Sequence, residues 1–227
     1  MTIQRFFKLL HQPPTTFKKR RQRVRYILSA LPVLLLGGGL IWVTVTTQGL
    51  LLPAGSVSNA PSDHLPASFS PSVRHWEAQI LDWAEHYDLD PLLIATVMQI
   101  ESCGNPAVTS PVGAQGLFQV MPFHFAADED MLDPQTNAAR GLTYLKLGYD
   151  LAEGDIGRTL ASYNGGHGQV DRNPILWPDE TQDYVHWGLG IYQDAINGTD
   201  PSPALAAWLN AGGASLCQSA AEQLGLN

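Results

Sequence analysis

Residues 91–104 read PLLIATVMQIESCG, and this stretch decides the fold. Only one Thr and one Gln are polar before Glu101, so a helix here is apolar on nearly all sides and is expected to be buried. Asp90 followed by Pro91 is typical of a helix start, because aspartate caps the first turn and proline tolerates the first helical position. The sequence therefore predicts a buried helix that ends in a single carboxylate.

Glu101 shares its helical face with four apolar residues that precede it by three, four, seven and eight positions, which are Met98, Val97, Ile94 and Leu93. Apolar surroundings disfavour the charged form of a carboxyl and raise its pKa, and the C-terminal end of a helix acts in the same direction. A carboxylic acid that stays protonated near neutral pH is what a general acid requires. The alternative is a glutamate that is merely exposed at a frayed helix end.

Helical patterns lie on both sides of this segment. Residues 73–87 repeat large apolar side chains every three or four positions, which predicts an amphipathic helix. Further helices are predicted over about 137–152 (starting at Thr136 or Asn137), 156–163 and 179–196, with two short ones within 203–224. Residues 104–135 carry many turn signals and are predicted to form a short irregular or β-like insert. The predicted fold class is mainly α.

The N-terminal residues differ sharply in charge from the rest of the chain. Residues 1–25 contain 8 of the 13 Lys and Arg, and no Asp or Glu precedes Asp63. Residues 26–52 carry no charge and are long enough to cross the ~30 Å hydrocarbon core of a membrane as a helix. Positive charge before the span predicts a cytoplasmic N-terminus and an exported remainder. The alternative is a cleaved signal sequence and a secreted protein, although the apolar run exceeds the usual ~7–15 residues.

The remainder of the chain divides into three predicted parts. Residues 53–72 are rich in Pro, Ser and Ala and are predicted to form a flexible linker. One exported domain is predicted over 73–198, followed by a helical tail over 199–227. From Asp63 onward there are 5 basic and 21 acidic residues, and so acidic a segment repels phosphate backbones. No nucleic-acid partner is expected.

Both cysteines, Cys103 and Cys217, lie in the predicted exported part. An even number of cysteines in an oxidising compartment favours a disulfide, which would tie the C-terminal tail beside Glu101. Two unrelated buried thiols are the alternative.

Three short segments follow Glu101 and carry polar groups in apolar or turn-like surroundings. Residues 110–113, SPVG, are typical of a type I turn. Residues 116–122, GLFQVMP, place the lone amide of Gln119 among apolar residues, and a buried amide needs partners from the backbone or from a ligand. Residues 161–166, ASYNGG, contain two turn-forming pairs, for which a helix stop is the structural explanation.

Taken together and in this order, Glu-Ser at the end of an apolar helix, GLFQVMP and SYNGG resemble the soluble-type lytic transglycosylases. The resemblance extends over about residues 75–195 and leaves the anchor, the linker and the tail outside it. It implies a lysozyme-like transglycosylase domain of the goose type. Cys103-Gly104, Phe118 and Gly166-His167-Gly168 depart from the usual pattern of the family and bear on which subsites the domain prefers.

The resemblance implies that Glu101 carries both proton transfers of a peptidoglycan lyase. As an acid it protonates the oxygen between N-acetylmuramic acid and N-acetylglucosamine, and as a base it takes the proton of the muramyl 6-hydroxyl, which gives a 1,6-anhydro end. The implied substrate-binding residues are Ser102, Ser110, Gln119, Met121, Tyr163, Asn164 and Tyr184. The hydroxyl of Tyr184 is further expected to hydrogen-bond the catalytic carboxyl. No cofactor is implied, and the expected partners are glycan strands and the membrane.

Two other functions compete with this interpretation. A muramidase of the goose-lysozyme type needs a second carboxylate ~6.5–9.5 Å from the acid to activate water. Asp128, Glu129, Asp130 and Asp133 are candidates, and no spacing favours any one of them. A non-catalytic glycan-binding module is the alternative from another class. A metal enzyme fits poorly, because the histidines show no HExxH-like spacing.

Overall fold

A computed structural model describes residues 64–226, which fold into a mainly α structure as predicted. Its α-helices are α1 (Pro71–Arg74), α2 (Glu77–Tyr87), α3 (Pro91–Glu101), α4 (Pro134–Leu151), α5 (Ile156–Gly165), α6 (Asp179–Ile196), α7 (Pro203–Trp208) and α8 (Ala214–Leu224). Short 3-10 helices span Pro122–His124, His167–Gln169 and Pro174–Leu176, and a π-type turn, Leu209–Gly213, joins α7 to α8. Within residues 64–226 the insert between α3 and α4 contains only isolated antiparallel bridges, Thr109 to Gln115 and Gln115 to Val120.

Helix α3 is the core element, as its apolar composition predicts. Asp90 caps it by accepting a hydrogen bond of 2.8 Å from the Leu92 backbone N–H. All residues from Leu93 to Ile100 are buried, and the helix packs against α2 and α6. The second carboxylate oxygen of Asp90 accepts a hydrogen bond of 2.5 Å from the Tyr192 hydroxyl of α6. The position of Glu101 is therefore fixed by a helix that is held at its start and buried along its length.

The single helix predicted over 73–87 is in fact two helices, α1 and α2, that are separated at His75 and Trp76. The Trp76 indole N–H donates to the Gly104 carbonyl at 2.9 Å, and the side chain is buried. The backbone of Gly104 passes so close to α1 that a Cβ there would lie 2.5 Å from the Ser72 carbonyl oxygen. This close packing against the end of α3 explains the break.

Helix α4 starts earlier than predicted, at Pro134. Asp133 is its cap and accepts a hydrogen bond of 2.8 Å from the Thr136 backbone N–H. Asn137, predicted as a possible start, is fully buried and holds the insert instead: its Oδ1 accepts from the Phe118 N–H at 2.9 Å. Its Nδ2 donates to the Gln115 carbonyl at 2.8 Å.

The flexible linker predicted over 53–72 does not reach residue 72. Leu65 and Phe69 are buried in the main apolar core. The Ser70 N–H donates to Oε1 of Gln99 at 3.0 Å, which explains why a polar residue is tolerated inside α3. The predicted basic segment and membrane anchor lie outside the described residues. Within residues 64–226, no helix combines the length and apolar character that a bilayer span requires.

A disulfide joins Cys103 to Cys217, and this confirms the pairing that the sequence favours. It ties α8 to the residues directly after Glu101, and α8 also packs against α1. The Asn105 side chain adds a hydrogen bond of 3.2 Å to the Ser219 hydroxyl. The C-terminal tail is therefore packed on the domain beside the end of α3.

Candidate active site

Glu101 is the last residue of α3 and is partly accessible to solvent. Its Oε1 accepts a hydrogen bond of 2.9 Å from the hydroxyl of Tyr184, a fully buried residue of α6. The four residues predicted to share its helical face, Leu93, Ile94, Val97 and Met98, are all completely buried. The carboxyl thus continues an apolar stripe, as the sequence predicts.

The surroundings of Glu101 favour its protonated form. Burial raises the pKa of Glu101 from its ordinary 4.5 to about 8, and the negative charge of Glu180 adds to this rise. The hydrogen bond from Tyr184 acts in the opposite direction, because it stabilises the ionised form, but burial dominates. At neutral pH the resting group is therefore mainly a carboxylic acid that is able to donate a proton.

Tyr163 is bonded to the GLFQVMP segment and is close enough to Glu101 to be affected by its charge. Its hydroxyl donates to the Phe118 carbonyl at 2.7 Å. Burial raises the pKa of Tyr163 well above its ordinary value, and the charge of Glu101 raises it further, so its phenol stays protonated. Gly141 of α4 permits this contact, since a Cβ there would lie 2.6 Å from the Phe118 side chain and 3.2 Å from the Tyr163 hydroxyl.

Gln119 has an unusual backbone and one unsatisfied atom. Its φ of 46° lies in the left-handed region, which is uncommon for a residue other than glycine. Its Nε2 donates to the carbonyls of Gly116 at 3.0 Å and Val108 at 3.2 Å. Its Oε1 is buried and has no hydrogen-bond partner among residues 64–226. Met121, two residues later, is partly exposed and precedes the 3-10 helix at Pro122–His124.

The two serines that are predicted to contact substrate, Ser102 and Ser110, are both buried and bonded to the backbone. Ser102 is fully buried, and its hydroxyl donates to the Leu117 carbonyl at 2.7 Å and accepts from the Gly104 N–H at 3.0 Å. The Ser102 hydroxyl thus joins the insert to α3, and its contact with substrate stays a prediction. Ser110 is mostly buried in the predicted turn, and its Oγ accepts from the Ala114 N–H at 2.9 Å.

Glu180 is a second carboxyl at the site, and it was not predicted. It lies in the first turn of α6, where its carboxyl is hydrogen-bonded to Asn164, whose Oδ1 in turn accepts from the Thr181 hydroxyl at 2.8 Å. Burial raises the pKa of Glu180 to about 7, and the bond from Asn164 opposes the rise. Glu180 precedes Tyr184 by four residues, which places both on one helical face. The four-residue spacing from Tyr184 is the sequence signal by which Glu180 could have been predicted as a site residue.

The four acidic residues of the insert are either bonded elsewhere or exposed. Glu129 is paired with Arg140 of α4 and also accepts from the Ala126 N–H. Asp133 caps α4, and the other two, Asp128 and Asp130, are exposed. The carboxyl whose charge acts on Glu101 is that of Glu180.

Known proteins resemble the part of the chain that contains this site. Residues 79–175 match the family model of the transglycosylase SLT domain. A transglycosylase of Enterobacteria phage PRD1 is 37% identical over 117 residues, which cover 51% of this chain and 42% of the phage protein. The soluble lytic murein transglycosylase of Escherichia coli K12 is 38% identical over 82 residues, which cover 31% of this chain and 13% of that enzyme.

A solved structure also matches. The crystal structure of an inactive mutant of lytic transglycosylase Slt from Pseudomonas aeruginosa has a TM-score of 0.45 and 25% identity, over 55% of this chain and 25% of that one. The chain thus spans less than half the length of these relatives.

Proposed function

We propose that this chain, whose residues 79–175 form a transglycosylase SLT domain, is a peptidoglycan lytic transglycosylase. The reaction is non-hydrolytic cleavage of the β-1,4 bond between N-acetylmuramic acid and N-acetylglucosamine. The observation that carries the proposal is the Glu101 carboxyl, whose pKa is raised to about 8 and which accepts a hydrogen bond from Tyr184. A proton donor of this kind is what the first step of the reaction needs.

In the first step Glu101 transfers its proton to the glycosidic oxygen. The bond from the anomeric carbon to that oxygen breaks, its electron pair stays on the oxygen, and the N-acetylglucosamine 4-hydroxyl leaves. The remaining muramyl ring carries oxocarbenium-like charge, which its own N-acetyl carbonyl is suited to stabilise. The hydroxyl of Tyr184 stabilises the carboxylate that forms on Glu101.

In the second step the Glu101 carboxylate removes the proton from the muramyl 6-hydroxyl. That oxygen attacks the anomeric carbon and closes the 1,6-anhydro ring. The carboxyl is protonated again, so one residue serves both steps and no water is consumed. The pKa of about 8 suits this cycle, because a carboxylate with a raised pKa is also a stronger base.

The neighbouring residues hold the sugar in this proposal. Oε1 of Gln119, which lacks a partner among the described residues, accepts a hydrogen bond from a substrate N–H or O–H. Met121 packs against a ring, and Tyr163 and Asn164 lie on the side of the N-acetyl group. Ser110 donates its hydroxyl proton to the sugar, since its oxygen already accepts from the backbone.

Glu180 makes a hydrolase the second candidate, because hydrolysis by inversion needs a carboxylate base. The pKa of Glu180 is raised to about 7, and its carboxyl is hydrogen-bonded to Asn164, so it is the candidate for that base. Mass spectrometry of fragments released from purified peptidoglycan by the full chain distinguishes the two reactions. A transglycosylase gives 1,6-anhydromuramyl ends, whereas a majority of reducing muramyl ends identifies a hydrolase.

The location of the domain is part of the proposal. Residues 26–52 anchor the chain in a membrane, and the basic residues before them keep the N-terminus cytoplasmic, so the domain acts on the outer side. Extraction of the cell membranes at alkaline pH tests this. An uncleaved anchor keeps the full-length chain in the membrane pellet, and a shortened chain in the supernatant indicates a cleaved signal sequence.

In Glu180→Gln, the fall of kcat/KM at high pH should begin at a lower pH than in the wild type. The variant removes a negative charge that helps to raise the pKa of Glu101, so Glu101 ionises earlier. We expect kcat/KM on glycan strands to begin falling below the pH at which the wild type does, by a fraction of a pH unit, because burial is the larger cause. Asp183→Asn is the control, since it removes the same charge from an exposed position of α6. Equal shifts in both variants would contradict a specific role of Glu180.

Tyr184→Phe should have the opposite effect on the pH profile. The lost hydrogen bond stabilises the ionised form of Glu101, so the variant raises the pKa of Glu101 and moves the falling limb to higher pH. The carboxylate that forms in the first step also loses a donor, which should lower kcat about 10- to 100-fold. Tyr192→Phe is the control, because its hydroxyl binds Asp90 at the opposite end of α3. A profile of Tyr184→Phe that stays in place would disprove the role assigned to this hydroxyl.

A further inference from the structure

Four aromatic side chains beside the site have no role in the reaction described so far. We call them the aromatic shelf; they are Phe123, His124, Tyr144 and His167. The ring centroids are 4.5 Å apart between Phe123 and His124, 5.1 Å between His124 and Tyr144, and 4.1 Å between Tyr144 and His167. Three separate segments contribute to the shelf, which are the 3-10 helix after Met121, helix α4 and the turn after α5.

The shelf is continuous with the site. The ring of Tyr144 meets the ring of Tyr163 edge to face, with centroids 5.8 Å apart and an interplanar angle of 72°. Tyr163 is the residue that binds the Phe118 carbonyl and whose pKa responds to the charge of Glu101. The shelf therefore begins directly beside Tyr163, a residue of the proposed substrate site.

The shelf is rigid at its inner end and open at its outer end. The Ser162 hydroxyl, which is fully buried, lies 2.7 Å from Nδ1 of His167 and fixes that ring. Tyr144 and His167 are partly buried. Phe123 at the outer end is 68% exposed, and His124 is also exposed. An exposed phenylalanine in a row of ordered rings is a surface suited to an apolar ligand face.

The rings of the shelf are neutral at neutral pH. Burial lowers the pKa of His124, and burial together with the nearby His124 lowers the pKa of His167. Burial raises the pKa of Tyr144, so its phenol stays protonated. A neutral aromatic row carries no positive charge to form ion pairs with the carboxylates of a peptide stem. It suits the C–H groups on the face of a pyranose ring, whose partial positive charge is attracted to the negative face of an aromatic ring.

We propose that the aromatic shelf binds a hexosamine ring of the glycan strand beyond the ring at which the bond breaks. The proposal rests on the proposed function and adds a subsite formed by Phe123, His124, Tyr144 and His167. His167 belongs to the Gly-His-Gly segment that departs from the family pattern, and Phe123 follows the GLFQVMP motif directly. The shelf would therefore favour longer glycan strands over short fragments.

The test is binding of peptide-free glycan strands to the full chain carrying Glu101→Gln, which holds the strand without cleaving it. Adding Phe123→Ala should raise the Kd about three- to tenfold, as expected for the loss of one stacking contact. His124→Ala should weaken binding in the same range, and His124→Phe, which keeps a ring, should retain it. Ile196→Ala is the matched control, since this side chain is 50% exposed at the distant end of α6.

Each outcome of this experiment is decisive. An unchanged Kd in Phe123→Ala, or no binding of peptide-free strands by the Glu101→Gln parent, would contradict the proposal that the shelf binds a hexosamine ring. If Phe123→Ala weakens the binding of peptide-bearing strands only, the shelf binds the peptide, and the proposal of a hexosamine subsite is wrong. Thermal unfolding midpoints equal to that of the parent exclude misfolding as the cause. If the wild type fails to cleave peptidoglycan, the proposed function is wrong, while the binding measurements still judge the shelf independently.

Discussion

Glu101→Gln should lower the rate of peptidoglycan cleavage by about 10²- to 10⁴-fold, the usual contribution of a general acid or base. The amide has nearly the shape of the carboxyl and still accepts the hydrogen bond from Tyr184, but it has no proton to give and takes none back. Both steps of the proposed cycle are lost together, so added water or nucleophiles should not restore activity. The measurement is release of soluble fragments from purified peptidoglycan.

The control for Glu101→Gln is Glu85→Gln, the same change at an exposed position of α2, which should leave activity unchanged. The stability of the variant gives a second check. The folded carboxyl stays protonated to about pH 8, whereas the unfolded one ionises near 4.5, so the unfolded state binds fewer protons between these values. The free energy of unfolding of the wild type therefore falls as pH rises through this window.

Glu101→Gln removes that dependence. The variant should be more stable than the wild type at pH 8 and no different at pH 4 or below. Loss of activity together with loss of stability at pH 8 would mean that Glu101 supports the fold and is not the acid.

Removing the disulfide should cost about 2–5 kcal/mol of unfolding free energy. Cys103 and Cys217 are 114 residues apart in sequence, so the bond closes a long loop and restricts the unfolded chain strongly. In the folded chain it holds α8 at the end of α3, where Nε2 of Gln99 lies 3.0 Å from the Cys103 sulfur. The variant Cys103→Ala/Cys217→Ala and chemical reduction of the wild type should both lower the urea midpoint.

Reduction of the double variant serves as the control, because it should change nothing further. Activity below the unfolding midpoint should fall much less than stability, since Tyr184 reaches Glu101 from α6 and not from α8. A wild-type urea midpoint that is indifferent to reductant would contradict the stabilising role of the bond.

The helices around the site could be predicted from the sequence where apolar composition and helix-start residues were clear. The apolar composition of residues 91–101 and the Asp90-Pro91 start correctly gave α3, and α6 has the predicted bounds, Asp179–Ile196. The same Asp-Pro signal at Asp133 marks the start of α4 at Pro134, three residues before Asn137, about where the sequence pattern predicts the helix to begin. The resemblance drawn from three motifs is confirmed by the family match over residues 79–175.

Other features depend on contacts between distant segments and were therefore missed or wrong. Leu65 and Phe69 look like linker residues among Pro, Ser and Ala, and only the folded structure shows that they belong to the apolar core. Ser102 stands next to the acid in sequence, yet its hydroxyl is buried and bonded to the backbone of Leu117, which lies 15 residues later. In the sequence, Glu180 looks like an ordinary acidic residue in the first turn of a helix. Its effect on the pKa of Glu101 arises because α6 packs against α3.

The central claim is that the Glu101 carboxyl is protonated at rest, and a ¹³C NMR titration of glutamate carboxyl carbons tests it most directly. The Glu101 resonance is assigned as the one that disappears in Glu101→Gln, and its pKa is read from pH 3 to 10 in the free protein. We expect a value near 8, far above the ordinary 4.5. A Glu101 pKa close to 4.5 would contradict the account, because the group would then be ionised at neutral pH and would have no proton to donate.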